Sequence, residues 1–161
     1  MKENINTILL GEGLGKLKFG HTREVVNNLL GEPQEIERYS YSNTDTDYTE
    51  SWHYDDLELS LSFDESNNWT LSVIAVSGKG FTIEGESVMG KEKEEVLKTL
   101  KKLGIEDYEE EDILIDDEDD DTRSQLISFE YFNLNLWFEN NTLTEIQFYP
   151  IVHEFKGFSE N

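Results

Sequence analysis

The chain has no cysteine. Disulfide frameworks and thiolate metal sites are therefore excluded. Long apolar runs are missing as well. The first twenty residues hold an apolar run of only three, too short for the core of a signal peptide. Nowhere do the roughly 18 consecutive apolar residues of a membrane span occur. The expectation is a soluble cytoplasmic protein with no membrane contact. Positive charge is scarce: 13 Lys and Arg stand against 36 Asp and Glu, a formal net charge of -23. Direct binding to DNA or RNA needs cations that displace counterions. Nucleic acid is thus excluded as a partner, and an anionic membrane surface for the same reason. A basic protein partner is favoured, because opposite fields raise encounter rates.

What is present is the composition of a folded chain. Of 161 residues, 36% are hydrophobic and 12% aromatic, which disordered chains rarely reach. The length corresponds to about one to one and a half domains and is enough to bury a core. The acidity is uneven. Twelve of the sixteen residues from 106 to 121 are acidic and none is basic, while the rest of the chain is still -11.

Two segments match without gaps: "SWHYDDLELSLSF" at 51–63 and "LISFEYFNLNLWF" at 126–138. Both alternate apolar and polar residues, the period of a half-buried strand. Each is interrupted by a short polar turn, "DD" at 55–56 and "EY" at 130–131, and so reads as a hairpin. A further turn and strand follow each one, over 70–76 and 142–149, where Asn and Asp/Ser clusters suit the turns. The two halves also begin alike, with "LKFGHTREVVNNLLGEP" at 17–33 and "SVMGKEKEEVLKTLKKLG" at 87–104. In the first, Thr22 is the expected N-cap, Val25, Val26, Leu29 and Leu30 the apolar face, and Gly31 with Pro33 the stop. In the second, Val96, Leu97, Leu100 and Leu103 form the apolar face. Lys98, Lys101 and Lys102 lie in the last turns, where cations suit the helix dipole, and Gly104 ends the helix. Between helix and hairpin each half has one more candidate strand, at about 35–41 and at most at 113–115. The expected fold is α+β: two tandem helix-plus-antiparallel-meander repeats, 1–80 and 81–161, forming one compact unit with the helices on one face of the sheet.

The segment "FGHTREVVNNLLGEP" resembles the opening of small outer-membrane assembly lipoproteins of the SmpA/OmlA type. The tandem plan resembles the beta-lactamase inhibitor protein fold. What the resemblance implies is a scaffold that binds proteins through an exposed sheet face.

A nucleophilic enzyme needs a base within hydrogen-bond reach of its nucleophile. His21, His53 and His153 fall in three unrelated elements, and no Gly-x-Ser-x-Gly elbow is present. "GEGLG" at 11–15 lacks the Gly-Lys-Ser/Thr ending of a phosphate loop and reads as a turn joining an N-terminal strand to the first helix. Carboxylates suit calcium, but "DDEDDDTRSQLI" has neither the glycine nor the final glutamate of a calcium loop. No catalytic, cofactor or dedicated metal residue is assigned. Alternation places most aromatic residues in the core. Trp137 and Tyr131 are the exceptions, with Ser62 and Asp56 as their counterparts in the first half. An aromatic side chain on an outer sheet face marks a binding patch, unless the terminal "HEFKGF" folds over it.

The pattern fits a small protein-binding module, most concretely an immunity or inhibitor protein that neutralises a basic toxin such as a nuclease. Occlusion is the expected mechanism. Asp116, Asp117, Glu118, Asp119, Asp120 and Asp121 would stand in for substrate phosphates, while Tyr131 and Trp137 pack the interface. Two other readings remain: an envelope or assembly accessory protein of the SmpA/OmlA type, and a metal-dependent hydrolase with carboxylate ligands. The sequence does not bear on oligomeric state.

Overall fold

A computed structural model describes residues 5–40, 48–113 and 123–151. The first half runs β1 (Thr7–Leu9), β2 (Gly13–Leu14), β3 (Leu17–Lys18), α1 (Arg23–Leu30), β4 (Glu35–Ser40), β5 (Tyr48–Tyr54), β6 (Leu59–Asp64) and β7 (Thr70–Val76). The second runs β8 (Thr82–Ile83), β9 (Glu86–Ser87), α2 (Lys93–Lys102), β10 (Glu109–Ile113), β11 (Ser124–Phe129), β12 (Leu134–Glu139) and β13 (Thr142–Phe148). Strands account for 50% of the structure, and the two helices have only 8 and 10 residues.

The expectation of an α+β fold built on tandem helix repeats is therefore corrected: the fold is mostly β. The physical reason lies in the glycine-rich segments. Residues 11–15, read as a turn, supply β2; residues 17–18, read as the lead-in to the first helix, supply β3; and residues 82–87 supply β8 and β9. Strands of two residues leave no period to detect. Together with β1 they make a second sheet of five strands in the order β3-β2-β1-β8-β9, in which β1 and β8 run parallel. Gly13 is needed here. Its φ is 149°, and a Cβ at this position would lie 2.0 Å from the Leu17 carbonyl oxygen.

The larger sheet has eight antiparallel strands in the order β10-β11-β12-β13-β7-β6-β5-β4. Each half contributes a four-strand meander, and β7 pairs with β13 to fuse them, Ala75 opposite Gln147. The two meanders share their irregularities. Both hairpins turn through a short 3-10 segment closed by a left-handed residue, Glu58 (φ 56°) and Asn133 (φ 50°). Both third strands carry a register shift, between Ser62 and Phe63 and between Trp137 and Phe138. At each bulge a hydroxyl satisfies the displaced carbonyl: Ser72 Oγ donates to Ser62 O (3.2 Å), and Thr144 Oγ1 to Trp137 O (3.2 Å).

The helices form where the apolar spacing placed them. The Thr22 hydroxyl accepts from the Val25 N–H at 3.2 Å, which caps α1. Gly31 ends it with φ 83°. Val26, Val96 and Leu100 are buried, and Leu29, Leu30, Leu97 and Leu103 pack at the margin. Val25 departs from the expected face, being exposed at the edge of the apolar stripe. Each helix entry is tied to the last strand of its own meander. Gly20 N–H donates to Leu71 O and Leu71 N–H to His21 O; Gly90 N–H donates to Leu143 O and Leu143 N–H to Lys91 O.

Leu59, Leu61, Phe63, Leu134, Leu136 and Phe138 are all buried in one core cluster, which draws on both sheets and both helices. Leu136 has no exposed surface. Leu136→Ala is expected to cost about 2–5 kcal/mol, read from chemical denaturation. A loss under about 0.5 kcal/mol would contradict this packing.

Candidate functional site

Alternation along the eight strands leaves one face of the large sheet without a covering helix among the described residues. Side chains at every second position point there, and a continuous row crosses all eight strands: Glu35, His53, Ser60, Ala75, Gln147, Asn135, Ser128 and Glu109. Beside it, equivalent positions of the two meanders carry different chemistry. In the first the row is Glu37–Ser51–Ser62–Val73. In the second it is Glu111–Leu126–Trp137–Glu145.

The first meander's face is a hydroxyl network. Tyr39 OH and Ser51 Oγ are 3.1 Å apart, Ser51 Oγ and Ser62 Oγ 3.2 Å. Thr49 donates to Asp64 Oδ1 (2.7 Å) and Ser72 to Asp64 Oδ2 (3.0 Å). His53 faces outward as alternation requires, with Nδ1 2.9 Å from Ser60 Oγ and Nε2 2.9 Å from Glu37 Oε1. Ser, His and Glu thus stand within hydrogen-bond reach, as in a nucleophilic triad. Ser60, however, lies within β6 and is paired on both sides, with His53 and Ala75. The backbone N–H groups of its own strand segment are engaged in the ladders, whereas an oxyanion needs free donors aimed at one point. This arrangement orients His53 and braces the strands. His21 sits apart, at the entry to α1, where Nδ1 accepts from the Lys18 N–H at 3.1 Å. Burial, and then the charge of Lys18, lowers its pKa. His153 lies outside the described residues.

On the covered face, two equivalent polar clusters pin the helices to the second strand of each meander. Glu50, with its side chain only 9% exposed, accepts from Arg23 Nη1 (3.1 Å), Arg38 Nη2 (2.9 Å) and Trp52 Nε1 (2.9 Å). Both guanidinium groups also lie over the Trp69 ring, at 4.5 and 4.9 Å. In the second half Lys93 replaces Arg23 and Gln125 replaces Glu50. Lys93 donates to Gln125 Oε1 (3.1 Å) and pairs with Glu110, and Gln125 Nε2 donates to Asp112 Oδ1 (2.9 Å). Sequence reading missed both clusters. The signal was a cation at the same helical position in each half, and a polar residue two positions before Trp52 and before its counterpart Ile127.

The acidic stretch resolves into two parts. Residues 109–113 form β10, an edge strand paired only with β11. The strand expected at 113–115 meets β10 at Ile113, and the rest of it lies outside the described residues. An edge strand needs one ladder, and outward charges suit it by discouraging strand addition. Asp116, Asp117, Glu118, Asp119, Asp120 and Asp121 lie outside the described residues. So do Leu114, Ile115 and the tail 152–161, including the segment expected to cover Trp137. Tyr131 is 66% exposed at the tip of the β11–β12 hairpin, edge-on to Phe132 at 5.0 Å. Trp137 is half-buried on the open face of β12, opposite Leu126 and Glu145. The two aromatic residues are not brought together. About 10 Å of strand separates the Leu126–Trp137 pair from the hairpin end. Trp137 lies instead toward Ile113 and Arg123, the described residues on either side of 114–122, as the pairing of Ser124 with both Ile113 and Glu139 shows.

Among the described residues, no group of three or more His, Asp or Glu side chains is placed to hold a metal ion, and no helix is long and apolar enough to cross a membrane. No family model, curated protein or solved structure matches the chain.

Two carboxylates test this description. At Glu50, burial works to raise the pKa, but hydrogen bonds from Arg38, Trp52 and Arg23, with the Arg23 charge, bring it below the ordinary value. Its contribution to stability is present above the ordinary carboxylate range and is lost as pH falls through the folded pKa. Glu50→Ala is expected to cost about 1.5–3 kcal/mol near neutral pH and progressively less in acid, measured by denaturation at several pH values. Glu145 is the opposite case. Burial, and then repulsion from Glu139, raises its carboxyl above the ordinary value. The folded state therefore holds this proton more tightly than the unfolded one, and stability falls as pH rises through the folded pKa. Glu145→Gln should raise Tm at neutral pH, by an increment that vanishes below about pH 4. An unchanged or lower Tm at neutral pH would contradict it.

Proposed function

We propose that the protein is a small acidic protein-binding module that engages a cationic partner. In its most concrete form it is an inhibitor or immunity protein that occludes the phosphate-binding surface of a basic toxin such as a nuclease. The observation that carries this reading is the chemistry of the open sheet face: in its second half, apolar Leu126 and Trp137 are bounded by Glu111 and Glu145 in one row. That row lies toward the end of the sheet flanking 114–122, and the whole chain is -23. A field of this sign steers a basic protein toward the molecule and repels nucleic acid. Ser60 of the Ser–His–Glu cluster lies mid-strand between two paired neighbours rather than on an exposed turn, which supports binding over nucleophilic catalysis. The resemblances to the inhibitor and lipoprotein families are not needed for this reading, which rests on charge and the open face.

Affinity capture should recover a protein rich in Lys and Arg. Recovery of only neutral or acidic proteins would overturn the proposal. Replacing Asp116, Asp117, Asp119 and Asp120 with Asn removes four charges while keeping side-chain size. Association with the captured partner is expected to slow about tenfold or more at low ionic strength. The difference should shrink at 1 M salt, where the Debye length is about 3 Å. Stability should hold or rise slightly as like-charge repulsion is relieved.

A further inference from the structure

We propose that the row Glu111–Leu126–Trp137–Glu145 is the docking strip for an extended basic segment of the partner, one with two cations flanking an apolar side chain. The inference rests on the acidic-module reading above and names where and how the cation-bearing partner is held.

The first meander supplies an internal control. At the positions equivalent to Leu126 and Trp137 it holds Ser51 and Ser62, hydrogen-bonded to one another, with Ser51 also bonded to Tyr39. The same backbone, with the same bulge, is thus built on small hydroxyl side chains, so neither apolar residue is required by the strand geometry. Both point away from the core, in the two strands between β10 and β13. A large, partly exposed apolar pair flanked by acids on this face is the mark of a contact surface.

The flanking acids set the partner's charge. Glu145 has no ion-pair partner among the described residues, and both burial and Glu139 disfavour its charged form. An incoming cation favours the charged form and so offsets both. Glu111 stands at the far end of the row on the edge strand and likewise has no cation paired with it among the described residues. Three strand spacings separate β10 from β13, so the two acids lie about 14 Å apart. An extended peptide advances about 3.3 Å per residue. Laid across the strands, it brings cations at positions i and i+4 over the two acids, with the side chain at i+2 over Leu126 and Trp137. A Lys or Arg stem also packs favourably on an indole face.

Two peptides of identical composition test this: acetyl-Ser-Lys-Ser-Leu-Ser-Lys-Ser-amide, with lysines at i and i+4, and acetyl-Ser-Ser-Lys-Leu-Lys-Ser-Ser-amide, with lysines at i and i+2. Binding is followed by amide and indole chemical-shift changes at low ionic strength. The first peptide is expected to perturb Glu111, Leu126, Trp137 and Glu145 and to bind at least threefold more tightly than the second. Trp137→Ser, which installs the residue the first meander carries, should weaken it about tenfold with the fold retained. Glu145→Gln, which preserves shape, should weaken it severalfold and supplies the test should the serine variant fold poorly. The 114–122 asparagine variant should weaken both peptides alike. If both peptides bind equally, depend on the 114–122 charges and ignore Trp137 and Glu145, the docking strip is overturned while the acidic-module reading stands. If neither binds at low salt, the docking strip is likewise overturned, and the acidic-module reading is decided by the capture experiment.

Discussion

The structure depends on one pairing. β7 and β13, the last strands of the two meanders, hydrogen-bond to each other and turn two four-stranded sheets into one of eight. Each meander alone would have two edges to protect. Joined, they bury a continuous layer against the helices and the small sheet, with a single core cluster. The pairing also leaves only β4 and β10 as edges. Both are rich in acidic residues, and outward charge on an edge strand opposes the addition of further strands. The parallel contact between β1 and β8 joins the halves a second time, from within the small sheet.

High net charge is accommodated by where the carboxylates sit. Most lie at exposed positions, where solvent and salt screen them. Glu50 is the main exception, and its desolvation is offset by two guanidinium groups and an indole N–H. The equivalent cluster in the second half uses a neutral amide, Gln125, at the same place. It then needs one cation, Lys93, balanced by Glu110 and Asp112. Both solutions fasten the first turn of a helix to the strand beneath it. The charge of the central residue differs, and the number and sign of its neighbours change accordingly.

The two halves divide their labour on the open face. The first fills it with hydroxyls that satisfy one another and with an oriented His53, which makes a flat, braced surface. The second places Leu126 and Trp137 between acids. Equivalent backbones with unlike outward residues are expected where the inward residues answer to packing and the outward ones to a partner. The inward set is nearly interchangeable between halves, whereas Ser62 and Trp137 are not.

The sequence by itself determined the meanders. Strict alternation over 51–63 and 126–138 settles which side chains point inward, because a one-residue slip would move every apolar residue to the other face. Helix ends were legible for a similar reason: Thr22 and Gly31 have chemistry that suits only caps. The small sheet was not legible, since two-residue strands carry no period and arise only when distant segments such as Thr7–Leu9 and Thr82–Ile83 meet. Nor was β10. Its acids are tolerated because the strand ends up at an edge, which is a property of the assembled sheet. For the candidate site, the sequence marked Trp137 and Tyr131 as out of phase. Tertiary structure alone decided that they stand apart and that Trp137 shares its row with Leu126, Glu111 and Glu145. Neighbours across strands are set by register over four chain segments, which no local pattern specifies.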